Sequence, residues 1–352
     1  MLKEIDLHIT NRCNLLCRHC VVNAGRTRFG EMDTVAVVDL IRYFGLRQCK
    51  EVHFTGGEPL VRDDIFTLIE TVLDCGMEPV LQSNGLLLTD ETVGRLKGLG
   101  LARIVVSLDG LPEQHDFMRR MPGGFDAAIA SVDRCVKRGF NVRVTTTADS
   151  ENLNDLVALT SLLEQLGVQR YSVNYATPMK NGRIHVGPFL ETSRWADLCA
   201  YLDQYAGPME ITYEPSVIPR TSIDDFSSES CECKIFKDDW FLVRCDGEVF
   251  PCYLFFERTN LSLGNVLRDP LDGIFATPGM AYVKRCGQQD LPAGCTGCQL
   301  SNDCHGGCVG YRLLTNGARD PRCDGPVAST APICPFVKVK VGSRRASNVV
   351  PY

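Results

Sequence analysis

This sequence predicts an α/β protein in which a parallel sheet curls toward a barrel and a cysteine-rich region follows it. Three observations carry that prediction. Short segments rich in Val, Ile, Leu and Thr alternate with helical patterns six times. A glycine stands near the end of most of those helices. The alternation stops near residue 205, and cysteine, glycine and proline then replace long apolar periodicity.

The strand candidates are 4–10, 51–55, 78–82, 103–107, 141–147 and 169–176. Between them the spacing predicts helices over 33–45, 63–75, 90–98, 124–138 and 152–166. Gly76, Gly100, Gly139 and Gly167 follow the helices, where a left-handed residue is needed and glycine adopts it most easily. A complete eight-fold barrel needs about 250 residues, so six units predict a partial (β/α)6 barrel with an open side. The expected organisation is a barrel over 1–206, a linker over 207–230, a cysteine-rich domain over 231–340 and a tail over 341–352. Pro, Ser, Asp and Glu concentrate in the linker.

The chain has 352 residues, 44% of them apolar, which suffices for one large domain and a smaller one. A net charge of −6 gives no basic footprint for nucleic acid. No apolar run reaches the roughly 18 residues of a membrane span. The segment Met1–Thr10 alternates like a strand and lacks a signal-peptide core. The expectation is therefore a cytoplasmic protein with reduced thiols.

In that compartment 18 cysteines are not a disulfide framework. Three lie at 13–20, four at 231–252 and six at 295–334, and such clustering suits metal binding. Cys13, Cys17 and Cys20 form C-x3-C-x2-C after the first strand. Three thiolates on a cluster leave one coordination position free, whereas a closed zinc site would need a fourth ligand. His19, adjacent to Cys20, is badly placed to be that ligand. Gly56-Gly57-Glu58-Pro59 ends the second strand. Its glycines permit a close backbone approach, and the Glu58 carboxylate suits an ammonium group. Cys75, Cys135 and Cys199 sit in helical patterns and read as small core residues. Tyr171, Asn174, Tyr175 and Arg183 lie near the sixth strand, as cavity wall or, for Tyr171, equally as core.

The cysteine triplet followed by Gly56–Pro59 resembles the radical S-adenosylmethionine (SAM) enzymes, and the strand–helix order extends the resemblance over 4–176. It implies a TIM-like partial barrel, a [4Fe-4S] catalytic cluster on Cys13, Cys17 and Cys20, and SAM bound to the cluster's fourth iron. One electron then cleaves SAM, and the resulting 5′-deoxyadenosyl radical abstracts hydrogen from the substrate. Gly56, Gly57, Glu58 and Pro59 would bind SAM, with Ser83 and Asn84 at the end of the third strand. Ser107-Leu108-Asp109-Gly110 and His115-Asp116-Phe117-Met118-Arg119 are similar to further SAM-contacting motifs. They imply Ser107 as a hydroxyl donor and Arg119 as a carboxylate partner.

The C-terminal order is C-x13-G-x4-C, then C-x2-C-x5-C-x3-C, then another cysteine. It resembles the SPASM domain, a C-terminal cysteine-rich iron–sulfur domain with one or two auxiliary clusters. The resemblance implies Cys295, Cys298, Cys304 and Cys323 on the second auxiliary cluster. Cys308 would join Cys233 and Cys252 on the first, with Cys231 or else Cys245 as its fourth ligand, or with an open position able to bind substrate directly. Cys334 is the alternative to Cys323.

The implied function is a radical SAM/SPASM oxidoreductase served by an external electron donor of the flavodoxin or ferredoxin type. The favoured substrate is a ribosomal peptide matured in natural-product or cofactor biosynthesis. Cys13 leaves no room ahead of it for an N-terminal peptide-binding domain. Either a separate delivery protein brings the peptide, or the substrate is small. The alternative is a dehydrogenase, epimerase or decarboxylase of a sugar, aminocyclitol or similar metabolite. A cavity lined by carboxylates and amides would favour the sugar, and a groove open at the barrel edge the peptide.

Overall fold

The structure is a computed structural model that describes residues 2–25, 29–176, 190–213, 240–257, 259–276, 295, 308 and 339–341. Seven strands run in chain order as parallel neighbours: β1 (Glu4–His8), β2 (Glu51–Thr55), β3 (Glu78–Ser83), β4 (Arg103–Ser107), β5 (Asn141–Ala148), β6 (Arg170–Tyr175) and β7 (Glu210–Tyr213). The helices between them are α1 (Thr34–Leu46), α2 (Ile65–Asp74), α3 (Asp90–Leu99), α4 (Pro112–Arg119), α5 (Gly124–Lys137), α6 (Leu156–Gln165) and α7 (Thr192–Asp203). This is the partial α/β barrel expected from sequence. The repeat runs one strand further than expected: β7 lies within the stretch read as a linker and pairs with β6. At four residues it is too short to stand out by periodicity.

Residues from the cysteine-rich region complete the same sheet. Strand β8 (Trp240–Val243) runs parallel to β1, followed by β9 (Glu248–Phe250) and β10 (Gly264–Asn265). A short helix α8 (Leu271–Phe275) follows β10. On the far edge β11 (Val339–Val341) pairs antiparallel with β7. Among the described residues the sheet thus ends at β10 and β11, and no pairing joins β1 to β7.

Period-2 alternation sorts the strand side chains. Ile5, Leu7, Val52, Phe54, Ile104, Val106, Val142, Val144, Tyr171 and Val173 share one core with helix residues such as Val37, Ile41, Phe44, Leu68 and Val132. Their alternates face the concave side: Glu4, Asp6 and His8 on β1, Glu51 and His53 on β2, Arg103 on β4, Arg143 on β5, and Arg170 and Asn174 on β6. The inner face therefore carries charge on β1, β2 and β4–β6, with Val80, Val105, Trp240 and Leu242 as apolar neighbours in register, while the outer face is a conventional apolar layer.

Cys135 and Cys199 are buried in that outer core, as expected, and so is Cys49. Cys75 is half-buried against Gly45. Tyr171 is core, with its hydroxyl donating to Thr146 Oγ1 at 3.0 Å. Asn174 Nδ2 donates to Thr145 Oγ1 at 3.0 Å, and Tyr175 donates to the Leu190 carbonyl at 2.9 Å. Arg183 lies outside the described residues. Gly76, Gly100, Gly139 and Gly167 all have positive φ at the helix ends. No helix among the described residues is long and apolar enough to cross a membrane.

Candidate active site

The loop after β1 carries Cys13, Cys17 and Cys20 and is held at both ends. Arg62 Nη1 donates to the Ile9 carbonyl at 2.8 Å and to the Met32 carbonyl at 3.1 Å. Glu31 accepts from Thr10 Oγ1 at 2.6 Å and from the Asn11 amide at 3.0 Å. The amides of Leu15 and Ala24 point at the Cys13 and Cys20 sulfurs, at 3.4 and 3.2 Å. Arg119 Nη1 stands 3.8 Å from the Cys17 sulfur, and Asn84 Nδ2 3.9 Å from that of Cys13.

The Gly56–Gly57 pair brings that loop onto the end of β2. A Cβ on Gly57 would lie 2.2 Å from the Arg12 carbonyl oxygen and 2.9 Å from Cys13 Cβ. One on Gly56, whose φ is +152°, would lie 2.5 Å from the Thr10 carbonyl oxygen. The Gly57 and Glu58 amides donate to the Thr10 and Arg12 carbonyls at 2.8 and 3.0 Å. The backbone that approaches these glycines is the protein's own cysteine loop.

Glu58 is fully buried. Its carboxylate accepts from Ser83 Oγ at 3.0 Å, from the Asn84 amide at 2.8 Å and from the Leu60 amide at 3.2 Å. The last bond caps the single turn that Pro59 begins. Burial raises the Glu58 carboxyl to about 7, against those hydrogen bonds. Glu58 thereby fixes the end of β3, and Asn84 Nδ2 reaches Asn14 Oδ1 at 2.7 Å.

A buried charge network lies beside Ser107, which is itself 9% exposed. Asp109 is fully buried and pairs with Arg119 Nη2 at 2.6 Å and His19 Nε2 at 3.0 Å. Its Oδ1 accepts from the Thr147 amide at 2.9 Å, and its own amide donates to His115 Nδ1 at 3.1 Å. Burial alone would raise the Asp109 carboxyl, but Arg119 and then His19 hold it far below the usual range. Burial would likewise weaken the Arg119 charge, and Asp109 and Cys17 reinforce it. Asp116 accepts from the Gly123 and Phe125 amides, fixing the start of α5. Each polar residue of His115-Asp116-Phe117-Met118-Arg119 therefore has a structural partner. Sequence reading missed Asp109, His115 and His19 as organisers. Their signal was present in the motif and in His19's place between Cys17 and Cys20.

A cluster with thiolate ligands fits this loop. Burial pushes the Cys13 thiol up to about 12 and also raises Cys20, so iron binding would displace protons. Two amides already point at sulfur. Arg119 Nε and His19 Nδ1 are buried without a hydrogen-bond partner beside Cys17. Among the described residues, the three sulfurs are not all within 4.8 Å of one another. Around a single zinc ion, with Zn–S near 2.3 Å, sulfurs converge to about 3.8 Å.

Of the C-terminal cysteines, Cys252 packs on the Trp240–Phe250–Phe255–Phe256 cluster that Cys13 and Cys20 also touch. The hydroxyl of the next residue, Tyr253, hydrogen-bonds Thr55 Oγ1 at 2.9 Å. Cys295 is buried and Cys308 half-buried. Cys245 is fully buried, and burial raises its thiol to about 12. Cys231, Cys233, Cys298, Cys304, Cys323 and Cys334 lie outside the described residues.

Residues 7–163 match the radical SAM superfamily, and residues 233–299 match SPASM, an iron–sulfur cluster-binding domain. Fe-coproporphyrin III synthase of Methanosarcina barkeri is 36% identical over 176 residues, 48% of this chain and 43% of that protein. The chain spans about half the length of this and the similar heme-synthase relatives. Mycofactocin maturase MftC of Mycobacterium tuberculosis is 23% identical over 345 residues, 90% of this chain and 81% of that protein. The solved structure of Streptococcus suis SuiB bound to SAM superposes with a TM-score of 0.73 at 17% identity, over 92% of this chain and 77% of SuiB. SuiB bound to its precursor peptide SuiA matches with the same TM-score.

Proposed function

Because the chain belongs to the radical SAM superfamily and carries a SPASM domain, we propose that it matures a ribosomal peptide by SAM-dependent oxidation. Its cofactors are SAM, a [4Fe-4S] cluster and auxiliary iron–sulfur clusters. In this reading Cys13, Cys17 and Cys20 hold the catalytic cluster. Gly56, Gly57, Glu58, Pro59, Ser83, Asn84, Ser107 and Arg119 form the SAM site. Cys252, Cys295 and Cys308 join Cys231, Cys233, Cys298, Cys304 and Cys323 as auxiliary ligands.

When bound, the clusters supply the single electron that cleaves SAM and take up the electron released after hydrogen abstraction. The chain's own residues do the positioning. Asp109 orients Arg119 beside Cys17 and keeps it charged. Glu58 fixes Ser83 and Asn84, and Asn84 braces the loop through Asn14. The Leu15 and Ala24 amides stabilise negative charge on sulfur. Glu58, Ser83, Asn84 and Asp109 are buried and pre-paired, so their placement costs little reorganisation during reaction.

One observation carries the peptide reading: a relative that aligns along 90% of this chain, at 23% identity, is a maturase. A small polar metabolite is the second reading. It is favoured by the inner face of the barrel, where Glu4, Asp6, Glu51, Arg103, Arg143, Arg170 and Asn174 supply carboxylates, guanidinium groups and an amide.

The test is to co-express a short peptide encoded beside this gene with the enzyme in deuterated water and to weigh it. Loss of two hydrogens or of a carboxyl group, or gain of one deuterium by epimerisation, supports peptide maturation if Cys13→Ala abolishes it. An unchanged mass with active SAM cleavage moves the substrate to the small-metabolite class.

A further inference from the structure

The inner faces of β1 and β2 carry a group of side chains that the SAM chemistry does not use. Strand periodicity puts Glu4 and Asp6 on one face, and the β1–β2 register sets His53 directly opposite Asp6 and Glu51 opposite Glu4. His53 Nε2 lies 3.4 Å from Glu4 Oε1 and 3.1 Å from Glu51 Oε2. One ligand atom from each of Glu4, Asp6 and His53 falls within 4.8 Å of the others, and no other trio of His, Cys, Asp or Glu among the described residues does so.

The decisive atom is Asp6 Oδ1. Asp6 is 7% exposed, and this oxygen is buried without a hydrogen-bond partner. His53 Nδ1 stands 3.6 Å from it, too far for a hydrogen bond. An anionic oxygen left so in a barrel interior is unfavourable unless a cation meets it. The neighbouring guanidinium is already engaged, since Arg103 ion-pairs with Glu51 at 2.8 Å and Glu78 at 2.5 Å. The Tyr253 hydroxyl, which hydrogen-bonds Thr55 Oγ1 at 2.9 Å, stands near Asp6 and adds no positive charge.

We propose that Glu4, Asp6 and His53 form a second metal centre, which binds one divalent cation of the manganese, ferrous or zinc type inside the barrel. Two carboxylates and one imidazole suit that class. A thiolate site selects softer metals, so the cysteine loop does not compete for Mn2+. The trio lies on the lower rungs of β1 and β2, away from the strand ends that carry Cys13 and Glu58. Charges on β1 and β2 that would otherwise repel across the pair would converge on one ion.

The test uses the holoenzyme with its clusters loaded anaerobically, titrated with Mn2+ alone and followed by loss of the free-ion EPR signal. The expected result is one Mn2+ per chain, with nitrogen modulation from one imidazole. Asp6→Asn and His53→Gln, both close to isosteric, should weaken binding about tenfold or more, and His53→Gln should also remove the nitrogen modulation. Iron content and cluster absorbance report whether the variants fold and load. Wild-type enzyme that binds no Mn2+ at millimolar concentration, or binds it without nitrogen modulation, overturns the proposal whatever the variants do. Undiminished binding in both variants overturns it as well.

Discussion

Gly57→Ala isolates the steric logic of the cysteine loop. The new methyl carbon would stand 2.2 Å from the Arg12 carbonyl oxygen, about 1.2 Å short of the 3.4 Å at which ordinary contact begins. Both neighbours are unable to rotate away, because one is backbone and the other is Cys13 Cβ at 2.9 Å. The loop must retreat, and the Glu58 amide then loses the Arg12 carbonyl it reaches at 3.0 Å. Overpacking costs about 1–3 kcal/mol, and the lost hydrogen bond about 1 kcal/mol. That is affordable for folding, but a shift of this size moves Cys13 off its cluster position. The assay is iron per chain together with 5′-deoxyadenosine formed from SAM. Gly57→Ala should lose about four irons, those of the catalytic [4Fe-4S] cluster, retain auxiliary-cluster absorbance and lose SAM cleavage. A variant with wild-type iron and cleavage within twofold of wild type would refute the reasoning.

Gly98→Ala is the matching control. It lies in α3 with nothing within 4 Å of the added carbon, so helix propensity alone should stabilise the chain by about 0.5–1 kcal/mol in urea unfolding. Asp109→Asn should destabilise by about 3–5 kcal/mol at neutral pH, because Arg119 stays buried with its charge unmet; a loss below 1 kcal/mol in the same assay would show that the pair is dispensable. Glu58 sets a pH window. Its carboxyl ionises near 4.5 when unfolded and at about 7 when folded, so between those values the folded chain holds the extra proton. Stability of iron-free protein should therefore fall as pH rises from about 4.5 to about 7, and Glu58→Gln should flatten that slope.

The six strands and five of the helices were legible because their signals are local. Period-2 and period-3.6 patterns and a glycine after four of those five helices need no knowledge of neighbours. The cysteine triplet was legible for the same reason, since its chemistry follows from spacing. The short strands β7 and β11 were not, because three or four residues carry no period and pairing partners far along the chain decide them.

The sequence by itself determined which residue types could ligate iron and in what order the barrel is laid down. Only the tertiary structure decided which groups meet. Gly56 and Gly57 accommodate a loop some 45 residues earlier. Asp109, within a four-residue motif, closes on both His19 and Arg119. Asp6 and His53, unremarkable when read along the chain, become a candidate metal pair through the β1–β2 register. A contact across the sheet depends on register and curvature, and neither is written in any local run of residues.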